Sequence, residues 1–310
     1  MKSMINRTHI EGLLYQHNLE MKVTGEQSKN PGTEFITGSV EIATDDAGLN
    51  IVPVHFTYVT ATTSKGKPNA TYGVLESIIN GTHKSVMKDG KENATKFRID
   101  SAIGLNEFYS DRNGKEELVS AKRNEGGFVH VVNELNEDEK TRNTFEVDMI
   151  ITGTRFIEAD EEKELPEKLV VKGAVFNFRN DLLPIELSVL NPHAINYFEG
   201  LGASNQNPIF TKVKGRQVSD TVVKKIEEES AFGESSIREV RNTRKDFVIT
   251  WAQKEPYEWD DEQTITAKEL GDCMTARETA LAAMKARQDE YKASKGGGNK
   301  ITPAAGGFNF

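Results

Sequence analysis

Ile10-Glu11-Gly12-Leu13-Leu14-Tyr15 and Ile151-Thr152-Gly153-Thr154-Arg155-Phe156 are two versions of one phrase: an apolar run interrupted by a glycine at its third place. The runs downstream of each phrase match as well. Phe35-Ile36-Thr37-Gly38-Ser39-Val40 matches Val170-Val171-Lys172-Gly173-Ala174-Val175, again with an internal glycine. Val52-Pro53-Val54-His55-Phe56 matches Leu183-Pro184-Ile185-Glu186-Leu187. A short helical stretch comes next, Tyr72 to Ile79 and then His193 to Leu201. Fourth runs carry Ile103-Gly104 and Lys214-Gly215, and fifth runs read Phe128-Val129-His130-Val131 and Phe247-Val248-Ile249-Thr250. One design is used twice.

Alternating or continuous β-branched and aromatic runs, bounded by Gly, Asn and Pro, read as strands. The first set is Ile10 to Val23, Glu34 to Ala43, Ile51 to Thr62, Phe97 to Tyr109 and Phe128 to Asn133. The second is Phe145 to Glu158, Lys168 to Phe178, Ile185 to Leu190, Ile209 to Val218 and Phe247 to Gln253. A glycine inside a strand marks a bend or bulge, which a small barrel needs to turn its long strands. The order strand, strand, strand, helix, strand, strand resembles the OB-fold, a five-stranded Greek-key barrel. The expected fold is therefore mainly β: two tandem OB-like barrels, residues 1–135 and 136–255. A helical segment at 256–295 and a flexible Gly-rich tail at 296–310 complete the chain. A pair of β-sandwich modules is the competing architecture.

The loops that flank the binding face of such barrels fall at Thr24 to Thr33 and Ser110 to Gly127, then at Ala159 to Glu167 and Ser219 to Asp246. Asp220 to Glu229 reads as helical within the last of these, with Val222, Val223 and Ile226 on one side. Thr266 with Glu269 is a capping-box pattern opening a helix that runs to about Lys295.

The composition narrows the function. The 310 residues carry 39 basic and 48 acidic side chains, a formal charge of −9, and one cysteine. No apolar run is long enough to span a bilayer, and the start has no apolar signal core, so a cytoplasmic setting is expected. Cys273 alone makes neither an internal disulfide nor a zinc cluster. Phosphate-binding glycine motifs, an H-E-x-x-H pair and a G-x-S-x-G elbow are all missing, so no cofactor, metal or catalytic residue is assigned. The carboxylate clusters at Asp45-Asp46, Glu158 to Glu164, Glu227 to Glu229 and Asp260 to Glu262 read as solvated loop charge.

Binding chemistry is more legible than catalysis. Residues 1–132 carry 15 basic against 16 acidic side chains, and residues 133–255 carry 17 against 23. Within the first half, Thr60 to Arg98 holds seven basic residues against three acidic ones. Unspecific single-strand binding needs cations for phosphates and flat rings for bases, each stacked base contributing roughly 1–3 kcal/mol. Candidates in the first half are Lys65, Lys67, Tyr72, Lys84, Lys88, Lys96, Arg98, Phe108, Tyr109, Arg112, Lys122 and Arg123, with Tyr58 and Phe97 as further rings. Candidates in the second are Phe178, Arg179, Lys212, Lys214, Arg216, Arg244 and Trp251, with Phe176 as a further ring. By the strand pleat one ring of Phe108-Tyr109 faces outward. Lys212, Lys214 and Arg216 share one strand face, a ladder that repels itself unless an anion or acidic neighbours lie across it.

The chain ends Gly306-Gly307-Phe308-Asn309-Phe310 after Gly296-Gly297-Gly298. Barrels, a flexible segment and a terminal phenylalanine resemble the single-stranded DNA-binding proteins of bacteria and phages. The tandem plan over residues 5–255 is similar to the replication protein A arrangement. The tip lacks the acidic residues typical of that family. The resemblance implies a non-enzymatic, cytoplasmic, phage-encoded protein that coats single-stranded DNA in replication or recombination, with Phe308 and Phe310 recruiting protein partners. A virion β protein and a metal-dependent nuclease are the alternatives.

Overall fold

The computed structural model describes residues 4–112, 115–160, 165–228, 236–259 and 265–296, with backbone alone at 112, 220–228, 236–244 and 294–296. The first five-strand circuit starts with β1 (Asn6–His17), followed by β3 (Glu34–Ala43) and β4 (Ile51–Thr60). Helix α1 (Ala70–Ile79) precedes β5 (Lys96–Arg112) and β6 (Lys115–Val131). β1 pairs antiparallel with both β3 and β5, β3 with β4, and β5 with β6. Parallel pairing of Val54 with Asn124 and His55 with Glu125 brings β4 beside β6 and closes the circuit.

The second circuit repeats this wiring. It consists of β7 (Asn143–Ile157), β8 (Lys168–Phe176), β9 (Leu182–Val189), helix α3 (Pro192–Gly200), β10 (Ile209–Glu228) and β11 (Ser236–Ala252). β7 pairs with β8 and β10, β8 with β9, β10 with β11, and Ser188 of β9 lies parallel to Val248 of β11. Both circuits thus have one parallel closing pair between their third and fifth strands, an OB-like wiring.

Burial follows the pleat. Ile10, Leu14, Ile36, Val40, Val54, Phe56, Phe97 and Ile99 fill the first core, joined by Tyr72, Leu75 and Ile78 at helical spacing on α1. Phe145, Val147, Met149, Val171, Leu187, Val213 and Ile249 fill the second, with Ile195 and Phe198 of α3. Asn191 caps α3 by accepting from His193 N at 2.9 Å, and Pro192 occupies its first turn, where no N–H is required.

Gly12, Gly38 and Gly173 act as close-approach points, whereas Gly153 has open space around it and marks a bulge between β7 and β8. A Cβ on Gly12 would lie 2.0 Å from the Ala43 carbonyl oxygen. Gly38, at φ +125°, sits at a bulge where a Cβ would meet Asn18 O at 2.5 Å. This bulge also breaks the expected Ile10 to Val23 strand. Leu19 turns inward, and a short edge strand β2 (Glu20–Val23) follows. Between α1 and β5 lies the short helix α2 (Val86–Asp89).

Two expectations are corrected. The stretch from Asp220 to Glu229 is not helical over its described part: β10 continues to Glu228, each residue from Asp220 opposite Arg244 to Glu228 opposite Ser236 in one ladder, and Glu229 lies outside the described residues. The β-branched run Thr221-Val222-Val223 favours the pleat, and the ladder pairs alternate residues of the stretch with β11. Likewise Ser110 to Gly127 is not a loop but the far half of a ribbon, with Arg112 opposite Lys115.

The circuits are fused. β1 pairs with β7, so Asn6 faces Val147 and Ile10 faces Asn143. Buried Asn124 and Gln217 exchange reciprocal amide hydrogen bonds of 2.7 and 2.8 Å from β6 to β10. Asn143 donates to the Gln217 carbonyl at 2.6 Å. Asn6 donates to both Ile103 O at 2.9 Å and Phe176 O at 3.0 Å. Ile103 itself lies in the second core.

C-terminal helix α4 (Ala267–Gly296) opens with the expected capping box: Glu269 N donates to Thr266 Oγ1 at 3.1 Å, and Thr266 N to Glu269 Oε2 at 3.0 Å. Leu270 and Cys273 pack on a third cluster around Phe176 and Phe210. No described helix is long and apolar enough to cross a membrane.

Candidate nucleic-acid interface

The seam between the circuits determines which side chains meet. On β7, Phe145 and Val147 point into the second core, so Thr144 and Glu146 point out. On β10, Val213 is buried, so Lys212, Lys214 and Arg216 point out. On β1, Ile10 is buried, and Arg7 and His9 point out. Since these strands are adjacent, these outward residues, apart from Lys212, line one open cleft of about 1100 Å³. Its walls carry Arg7, His9, Lys140, Lys214 and Arg216, the acids Asp100 and Glu146, and Trp251 of β11.

Glu146 lies across the ladder that self-repulsion required. Arg7 donates to it, and Lys212 and Lys214 stand 3.8 and 3.6 Å away. Burial would raise its carboxyl pKa, but the Arg7 hydrogen bond and the three cations outweigh that and hold it below the usual carboxylate range. His9 bridges Asp100 Oδ1 at 3.0 Å and Glu11 Oε2 at 3.3 Å. The Lys214 ammonium stands 5.0 Å from the centre of the Trp251 ring, which is 47% exposed. An accessible flat ring beside excess positive charge can stack a base while its phosphate meets a cation.

The other expected residues are dispersed. Tyr72 is a correction: it lies in the first core, 8% exposed, because the helical stripe it starts faces inward. The further rings Phe97 and Phe176 are fully buried. Lys65 and Lys67 sit on the exposed turn after β4, Lys84 just before α2 and Lys88 on it. Lys96 donates to Asn133 O at 3.1 Å, and Arg98 pairs with Asp100 at 3.4 Å. Arg123 pairs with Glu125 at 2.8 Å. Lys122 donates to Glu186 O and lies 5.4 Å from the Phe247 ring; burial lowers its pKa, against the pull of Asp246 and Glu186. It is a contact between the barrels rather than a free cation.

Phe108 is 44% exposed on the β5–β6 ribbon, while Tyr109 lies beneath α4 with Lys285 5.7 Å from its ring. Phe178, 88% exposed, carries Arg179 over its ring at 5.1 Å on the turn between β8 and β9, where Asn180 meets Cys273. The side chains of Arg112 and Arg244, and all of Phe308 and Phe310, lie outside the described residues. Tyr58, stacked on Phe35 at 4.7 Å, is exposed on the β3–β4 face.

Arg7, His9 and Lys140 are not singled out by the sequence pattern. Arg7 and His9 alternate with Thr8 and Ile10, so a period-2 count begun at Asn6 rather than Ile10 finds them; Lys140 sits on a 3₁₀ turn and leaves no pattern. Among the described residues no group of three or more His, Cys, Asp or Glu is placed to hold a metal.

The model of a family described as YorF matches residues 5–286. No curated protein matches the chain. Among solved structures, the wild-type single-stranded DNA binding protein from Thermus aquaticus is similar at 12% identity and a TM-score of 0.43, covering 85% of this chain and 98% of that one. A deletion mutant of the same protein is similar at 11% identity and a TM-score of 0.45, covering 84% of this chain and 100% of that one.

Proposed function

This chain belongs to the YorF family, and we propose that it binds single-stranded DNA without sequence selection, as a coating protein rather than a catalyst. One observation carries the reading: an exposed tryptophan with a lysine over its face, in an open cleft whose walls hold more cations than carboxylates. Phosphates supply a further anion for the Lys212, Lys214, Arg216 ladder, of which Lys212 and Lys214 already face Glu146. Bases stack on any π-face, so the affinity is tolerant of sequence and falls with salt. Replication or recombination, where single strands are exposed in the cytoplasm of a phage-infected host, is the setting we propose. Phe308 and Phe310 are proposed to dock protein partners there.

The test is a titration of labelled single-stranded and duplex oligonucleotides at two salt concentrations, read by anisotropy and by tryptophan quenching. Preference for the single strand at low salt is expected. Equal or absent binding of both forms overturns the function.

A further inference from the structure

We propose that one DNA strand crosses from barrel to barrel over the seam, with Phe128 as its stacking platform on the first barrel and Trp251 on the second. This rests on the proposed single-stranded DNA binding and adds a route to it. The registers carry it. Phe128 is opposite Asp100, Asp100 opposite His9, His9 opposite Thr144, and Thr144 opposite Arg216. Directly opposed residues on neighbouring strands project from the same face, so this row runs unbroken across β6, β5, β1, β7 and β10. The adjacent row, Arg7 to Glu146 to Lys214 to Trp251, carries it onto β11. Five inter-strand steps of about 4.8 Å put the platforms about 24 Å apart along the sheet.

The two ends share a property. Phe128 is 69% exposed and Trp251 47%: Val129 beside Phe128 is buried, and the bulge that leaves Thr250 out of the β10–β11 register turns Trp251 to the face opposite buried Ile249. Between them lies the cleft, whose walls include Asp100 at one end and Trp251 at the other. Its acids do not block an anionic strand. Asp100 is engaged by His9 and Arg98, and Glu146 by Arg7, Lys212 and Lys214, so the carboxylates hold the cations in place for phosphates.

This route differs from the OB habit of binding over strands two and three. Both circuits carry side chains on that face, the tilted Phe35–Tyr58 pair on the first and Lys172 and Arg155 at 3.7 and 3.8 Å from Glu186 of β9 on the second, so the experiment includes it as the competing path.

The experiment compares full-length Phe128→Ala, Phe128→Tyr, Trp251→Ala and Tyr58→Ala by anisotropy with a labelled oligothymidine long enough to span both platforms. Circular dichroism checks that each variant folds. Loss of about tenfold in affinity for both Phe128→Ala and Trp251→Ala, with Phe128→Tyr and Tyr58→Ala near wild type, supports the route. If Trp251→Ala weakens binding while Phe128→Ala does not, the strand stays on the second barrel and the route is wrong. If Tyr58→Ala takes the loss in place of Phe128→Ala, the strand follows strands two and three. A wild-type chain with no single-strand preference overturns the underlying function instead.

Discussion

The two circuits share the five pairings that close them, yet they use their charges differently. In the first, cations are dispersed onto near neighbours: Lys91 onto Asp46 O, Lys96 onto Asn133 O, Arg98 onto Asp100, Arg123 onto Glu125. In the second, three outward cations on β10 converge on one face beside Trp251. The half with the more negative balance therefore supplies most of the cleft's positive wall. Net charge along a chain says little about where an interface lies, because pairing across strands regroups residues that sequence keeps apart. The first barrel's β5–β6 ribbon lies under α4, where Arg277 meets Glu107 at 2.5 Å, Gln288 donates to Tyr109 O and Lys292 meets Glu116 at 2.7 Å.

The comparison breaks hardest at the fusion of the barrels. Gln217→Leu leaves buried Asn124 without its reciprocal partner and should cost about 3 kcal/mol, measured by urea unfolding. If two separate transitions appear in the wild type, the barrels are not one cooperative unit. Next comes the strap. Arg277→Ala leaves the largely covered Glu107 carboxylate without this partner and should cost about 2 kcal/mol, with faster hydrogen exchange along α4 and the β5–β6 ribbon but not in the second barrel.

The converging ladder is tested by salt. Replacing Lys214 and Arg216 by Ala should reduce the slope of log affinity against log salt by about 1.4, whereas replacing Lys96 and Arg98 should change it less. Equal reductions would erase the asymmetry between the barrels.

The smallest effect concerns pH. Burial would raise the Asp246 carboxyl, but hydrogen bonds from Lys168 at 2.7 Å and Ser188 at 2.6 Å outweigh it and hold the pKa low. A depressed carboxylate stabilises the fold above its unfolded pKa, and that contribution is lost as pH falls through the lowered value. Asp246→Asn should flatten the acid arm of the thermal-stability profile; an unchanged arm removes Asp246 from the account.

Local signals were legible wherever the physics is local. The Thr266–Glu269 box is a contact three residues apart, and it forms as read. The doubled strand order and its glycines foretold both circuits, since an internal glycine marks a place where backbone or side chains press close or a strand bulges. Asp220 to Glu228 went the other way, because its partner strand lies beyond the segment itself. Tyr72 looked like a platform until the stripe of Leu75 and Ile78 placed it inside.

By itself the amino-acid order determined the strands that fill the two cores, their repeated sequence and the start of the last helix, all set by periodicity and near-neighbour chemistry, but not the two long ribbons. Only the tertiary structure decided that β1 lies between β5 and β7. That adjacency brings Arg7 and His9 beside Lys214, Arg216 and Trp251. The reason is physical: hydrogen bonds between strands act over an inter-strand spacing of about 4.8 Å regardless of separation along the chain, so a cleft built across strands has no contiguous signature.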